Sequence, residues 1–174
     1  MKYTRTILPF ALCAVLAACD VSDTTMMNGA VTLKDGMVTL HVHGASDAII
    51  SSTGDLQIDD KAVSLTPSQR GLLMLYNHNV QDVHAIGLEM GKTGAQMGAK
   101  ALKNAMNKKS DAQQDQDADA GAEQLKQLGL KICQDQANIK TVQDQLTAEL
   151  PAFKPYGDIV SADSVTSCQS DAKN

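Results

Sequence analysis

The chain is 174 residues long, with a formal net charge of −5, two phenylalanines, three tyrosines and no tryptophan. That length holds one domain with a real core and is too short for two. The acidic balance argues against nucleic acid, which needs a basic footprint, and the shortage of aromatics argues against a ring-lined pocket for a small molecule.

Lys2 and Arg5 form a basic start, and "ILPFALCAVLAA" (7–18) is a short apolar run. The run is too short to span a bilayer, so residues 1–18 are predicted to be a secretory signal. It ends Leu16-Ala17-Ala18-Cys19. Small residues before a cysteine resemble the lipobox of bacterial lipoproteins, in which the peptide is cut before the cysteine and the cysteine carries the lipid. The resemblance implies a lipid-anchored protein on the periplasmic side of the envelope, with Cys19 as the acylated residue. Asp20 resembles the inner-membrane retention signal of enteric lipoproteins. Loss of residues 1–18 removes Lys2 and Arg5 and no acidic group, leaving 13 basic against 20 acidic residues, a net of −7. Such a balance argues against electrostatic docking on anionic lipid.

Four cysteines are present. Cys13 leaves with the signal and Cys19 takes the lipid, which leaves Cys133 and Cys168 as a pair in an oxidising compartment, where a disulfide is expected.

Residues 19–28 read as a polar tether, followed by one domain over 29–174. Within it, residues 29–66 carry short strand signals: "AVTL", "MVTLHV", "AIIS", "DLQID" and "AVSL". Val38, Leu40 and Val42 alternate with Thr39, His41 and His43, and Asp35-Gly36 is a strong hairpin signal. A small antiparallel meander is predicted, one face of which needs a cover.

Thr66, Pro67 and Gln69 make a capping box with proline in the first helical position, so a helix is predicted over 67–108. Residues 109–121, rich in Asp, Gln and Ala without apolar periodicity, read as a polar linker. A second helix is predicted over 122–150. Its seam runs Leu125, Leu128, Ile132, Ile139, Val142 and Leu146, with Asp135 interrupting. Pro151 ends it, and a tail over 151–174 returns Cys168 to Cys133. The fold class is therefore α+β, a small N-terminal β-meander followed by a long helical hairpin.

The stretch "GLEMGKTGAQMG" (87–98) ends a phosphate-loop pattern with Gly91-Lys92-Thr93, but Ile86 stands where the first glycine is required and no strand precedes it. As helix positions, Gly87, Gly91, Gly94, Gly98, Ala101 and Ala105 form one straight stripe of small residues. Four helical glycines cost about 3–4 kcal/mol against alanine, so a close neighbour is expected to offset them. The second helix of the same chain is the expected neighbour and self-association through the stripe, at the membrane surface, the alternative; charges across 89–103 are incompatible with a lipid-facing span.

No enzyme signature emerges. His41 and His43 share a predicted strand face, but no Cys or Glu pair converges on them, so no metal and no cofactor are expected. Asp59-Asp60 is an adjacent pair in a turn, unsuited to acid–base work. There is no nucleophile elbow. The remaining partners are the membrane, through the anchor, and a protein partner or a second copy of the chain.

Residues 54–76, "GDLQIDDKAVSLTPSQRGLLMLY", resemble the YggN-like family of proteobacterial periplasmic proteins of unknown function. The resemblance lies in Gly-x-Leu-x-Ile-Asp-x-Lys-x-Val-x-Leu leading into Gln69, Leu72, Leu73 and Tyr76. A Gly/Ala-rich helix and a late "AFKPY" before a terminal-region cysteine extend it. The family usually has glycine where this chain has Asp60. The resemblance implies an envelope protein and carries no mechanism.

Overall fold

The first strand lies where a tether was expected. In the computed structural model, which describes residues 23–107 and 111–172, Asp23–Met26 forms strand β1 and pairs antiparallel with β2 (Val31–Lys34). "DTTM" shows no apolar alternation, but threonine suits a pleated half-exposed surface, and Lys34 Nζ meets Asp23 Oδ2 at 3.1 Å. Cys13, Cys19, Asp20 and the predicted signal lie outside the described residues.

From β2 the chain turns through β3 (Met37–Leu40), β4 (Ala48–Ile50), β5 (Leu56–Ile58) and β6 (Lys61–Ala62). All six strands pair with their sequence neighbours in one antiparallel meander. Asp35 and Gly36 take φ of 50° and 74°, the doubly left-handed turn that a two-residue hairpin needs. Asp59 and Asp60 do the same at 54° and 56°. Aspartate tolerates this region where most side chains do not, so the Asp59-Asp60 turn forms without a glycine. Val31, Leu33, Val38, Leu40, Ala48, Ile50 and Leu56 all point to one buried face.

Helix α1 (Pro67–Met106) covers that face first. Its capping box is complete: Gln69 N donates to Thr66 Oγ1 and Thr66 N donates to Gln69 Oε1. Leu73, Tyr76, Val80 and Val83 project into the core. Asn77, also buried, donates from Nδ2 to the carbonyls of Gly36 at 2.9 Å and Ile50 at 3.0 Å, so one side chain seals two strand ends. Gly54 is buried under the first turns of α1, beside Arg70, which pairs with Asp55. That pairing and the Thr53 hydroxyl, the larger influence, hold the Asp55 carboxyl below its usual range.

Helix α2 runs from Asp111 to Glu149, so most of the 109–121 segment expected as a linker is helical. Alanine and glutamine favour a helix without apolar periodicity, and aspartates near its N-terminus complement the macrodipole. The two helices form an antiparallel hairpin, closed at its sheet end by Gln69 Nε2 donating to the Glu149 carbonyl at 2.8 Å. Ile139, Val142, Leu146 and Leu150 join the sheet core.

A 3-10 segment, Pro151–Tyr156, then plugs the core with Phe153 and Tyr156. Phe153 stands edge-on to Tyr76 at 5.9 Å between centroids and tilts against Tyr156 at 5.7 Å. The Tyr156 hydroxyl donates to the Ser46 carbonyl. Gln143, fully buried, donates to the Gly157 and Val160 carbonyls and accepts from Val160 N. The tail ends in α3 (Ala162–Asp171), an element not foreseen from sequence. The Cys133–Cys168 disulfide staples it to α2 with Cα atoms 5.5 Å apart. Across a separation of 35 residues, such a link is worth about 3–4 kcal/mol in the chain-entropy model.

At Gly54 the backbone φ is +78°, and a Cβ would lie 2.3 Å from the Arg70 carbonyl oxygen. Gly54→Ala should therefore lower unfolding free energy by about 2–4 kcal/mol, measured by urea titration.

Candidate functional site

Along α1, one line of residues changes character. Leu73, Tyr76, Val80 and Val83 lie on the sheet; continuing the same line at helical spacing are Gly87, Gly91, Gly94, Gly98, Ala101 and Ala105. Val83 is the last residue of α1 in the main core cluster. Large side chains thus fill the space above the sheet, and small ones follow where α1 has passed beyond it.

The expectation that α2 fills the small-residue stripe is overturned. All six stripe residues are exposed. A Cβ placed on Gly87, Gly91, Gly94 or Gly98 would meet no atom within 4 Å beyond the helix's own backbone and chain neighbours. The hairpin is held from a different side of α1, where Thr93 and Asn104 are buried. Asn104 Nδ2 donates to Asp117 Oδ2 at 3.0 Å. The close approach uses a glycine of α2 instead: a Cβ on Gly121 would sit 2.5 Å from Met97 Sδ. The sheet and α2 approach α1 from directions about a quarter turn apart, and the stripe continues the sheet-facing one. Beside the stripe stand exposed Leu88, Leu102 and Met106. Together they form an uncharged, exposed face on the distal half of α1, with Gly98 and Ala101 at the edge that borders a cavity shared with α2.

Cavities open along the hairpin. One of about 420 Å³, near its far end, is lined by Met97, Gly98, Ala101, Asn104 and Asp117 among others. Another, about 290 Å³, lies between Asp82 and Ile86 of α1 and Lys131 and Asp135 of α2. Asp135, read from sequence as a break in the seam, faces Asp82 across this groove. Burial, and then the Asp82 charge, push the Asp135 carboxyl above its usual range against His78 and Lys131. Sequence spacing shows Asp135 as an anomaly but not its partner, because Asp82 belongs to the other helix.

The histidines do not converge. Strand β3 ends at Leu40, so His41 and His43 do not share a strand face. His43 is exposed. His41 has Nε2 3.2 Å from Thr32 Oγ1 and Nδ1 2.9 Å from Asp47 Oδ1, so both ring nitrogens are engaged. Among the described residues no three His, Cys, Asp or Glu side chains gather as a metal site. Thr32, His41 and Asp47 have the connectivity of a nucleophile–base–acid triad, a grouping that their spacing in the sequence does not reveal. Yet the Asp47 side chain is 58% exposed, and Thr32 sits mid-strand between Thr25 and Thr39. Its neighbouring amides are engaged in sheet ladders, so no oxyanion donors face it. The arrangement ties the β3–β4 loop to the outer face of the sheet. In the core, the Tyr76 hydroxyl is buried without a hydrogen-bond partner, and burial pushes its pKa up.

No protein-family model matches the chain, and no curated protein or solved structure is detectably similar to it. No helix among the described residues is long and apolar enough to cross a membrane.

Two outcomes follow. Gly91→Ala should raise stability by about 1 kcal/mol in urea titration, because an uncovered helical glycine contributes only its entropy cost. Asp135→Asn should raise the urea midpoint at neutral pH. A carboxyl whose folded pKa exceeds its unfolded one favours the fold while protonated, and that contribution is lost as pH climbs through the folded value. The gain should vanish below about pH 4.

Proposed function

We propose that this is a lipid-anchored protein on the periplasmic side of the bacterial envelope, acting as a non-enzymatic binding or scaffold module whose contact surface is the uncovered face of α1. The observation that carries the reading is that face: four glycines placed in a helix at a stability cost, with no atom of the described chain packed on them. The Cys133–Cys168 disulfide supports an oxidising compartment, and the lipobox-like "LAAC" supports acylation at Cys19. The resemblance to the YggN-like envelope family agrees in compartment and adds no activity.

The test uses photo-crosslinkers in living cells at Ala95, which is exposed, and at Met97, which lies on Gly121 of α2. A discrete adduct from Ala95, to protein or to phospholipid, with none from Met97 is the expected result. Silence from Ala95 overturns the reading. So does catalytic turnover that disappears on changing one polar residue; Thr32 and His41 are the first to change.

A second reading, homo-oligomerisation through the stripe, is favoured by the smallness of its residues, which lets two helix backbones approach closely. On this reading the mature chain sediments as an oligomer, while Gly94→Leu sediments as a monomer with unchanged circular dichroism. A monomeric wild type would end it.

A further inference from the structure

We infer that the distal face of α1 rests on the bilayer to which the chain is tethered, with the helix axis along the membrane surface. This deepens the proposed function and rests on acylation of Cys19.

The direction of the face is set by Asn77. Its side chain reaches the Gly36 and Ile50 carbonyls, so that azimuth of α1 points to the sheet end carrying the Asp35–Gly36 turn. Leu88, Ala95, Leu102 and Met106 follow Asn77 at about three, five, seven and eight whole turns of 3.6 residues. They therefore project within roughly 20° of the same direction. Leu88 is 52%, Leu102 63% and Met106 76% exposed, and Met37, at the turn itself, is 45% exposed. Most of the large apolar side chains exposed on the described chain thus lie at one sheet end or along one line of α1 leading away from it.

The anchor leaves from that same end. Asp23 pairs with Lys34 and Lys34 with Met37, so β1 begins beside the Asp35–Gly36 turn, with neighbouring strands about 5 Å apart. Cys19 precedes Asp23 by four residues, at most about 14 Å of chain. A lipid on Cys19 therefore holds the bilayer close to the turn and to the azimuth along which Leu88, Leu102 and Met106 project. This placement selects a lipid surface as the occupant over a second copy of the chain.

Charge agrees locally. Residues 84–107 carry Lys92, Lys100 and Lys103 against Glu89 alone, in a mature chain that is otherwise acidic. Lys92 and Lys103 lie about 60–80° around the helix from the apolar line, where lysine stems can lie along a membrane surface with the ammonium among headgroups. Three exposed side chains hold a helix to lipid only weakly, but the anchor supplies the high effective concentration at which weak contact suffices.

The experiment uses the full acylated chain, isolated from cells and reconstituted in vesicles of phosphatidylethanolamine and phosphatidylglycerol. A genetically encoded environment-sensitive fluorophore replaces Leu102 or the exposed Thr141 of α2, and the lipids carry a chain-attached quencher. Quenching at Leu102 should exceed that at Thr141 by about threefold or more. Equal quenching overturns the inference, as does blue-shifted emission at Leu102 without quenching, which would mean that protein covers the face. Intact mass establishes the lipid on Cys19 beforehand. A chain without it overturns both this inference and the anchored reading, whereas an acylated chain with equal quenching overturns this inference alone.

Discussion

Strands of two to four residues cannot stand as a sheet unless one face is buried, and everything else in this molecule serves that burial. The meander offers a single apolar face. Helix α1 crosses it with Leu73, Tyr76, Val80 and Val83, α2 adds Ile139, Val142 and Leu146, and Phe153 with Tyr156 close the remaining gap. Polar side chains complete the seal: Asn77 and Gln143 satisfy backbone groups at strand ends and in the tail that a purely apolar cover would leave unpaired.

Both helices are longer than this task requires. Past Val83, α1 has no sheet beneath it, and its contact with α2 changes from aliphatic interdigitation to buried Thr93 and Asn104 and the Met97–Gly121 approach. The molecule is therefore a packed base bearing a thinner projecting hairpin. The uncovered face belongs to the projection, and the disulfide belongs to the base, where it fixes the chain's last helix.

Local signals were the legible ones. The capping box at Thr66, the Asp35-Gly36 turn, the alternation of β3 and the even cysteine pair each involve residues whose geometry is settled by near neighbours or by compartment. Strand β1 is not legible because "DTTM" carries one apolar residue, Met26, too few to show alternation, and acquires its structure from pairing with β2. Helix α2 was started too late because residues 111–121 are helical by propensity and by contact with α1, neither of which produces apolar periodicity. The small-residue stripe was expected to receive α2, and α2 does not pack on its glycines. Periodicity shows that a line of residues exists, yet the direction from which α2 approaches depends on Gly121 and Met97, 24 residues apart in the chain. The Asp82–Asp135 juxtaposition and the Thr32–His41–Asp47 network were invisible for the same reason, since each joins elements distant in sequence.

The glycines have a consequence for how the molecule opens. Their entropy cost falls entirely on the projecting half, where few buried contacts offset it, while the base holds the aromatic cluster, the aliphatic core and the disulfide. Stability is thus graded along one continuous pair of helices, and the projection forms the weaker cooperative unit. The described turns of α1 and α2 beyond the sheet therefore open before the base does, and their amides lose protection against hydrogen exchange ahead of those of the sheet.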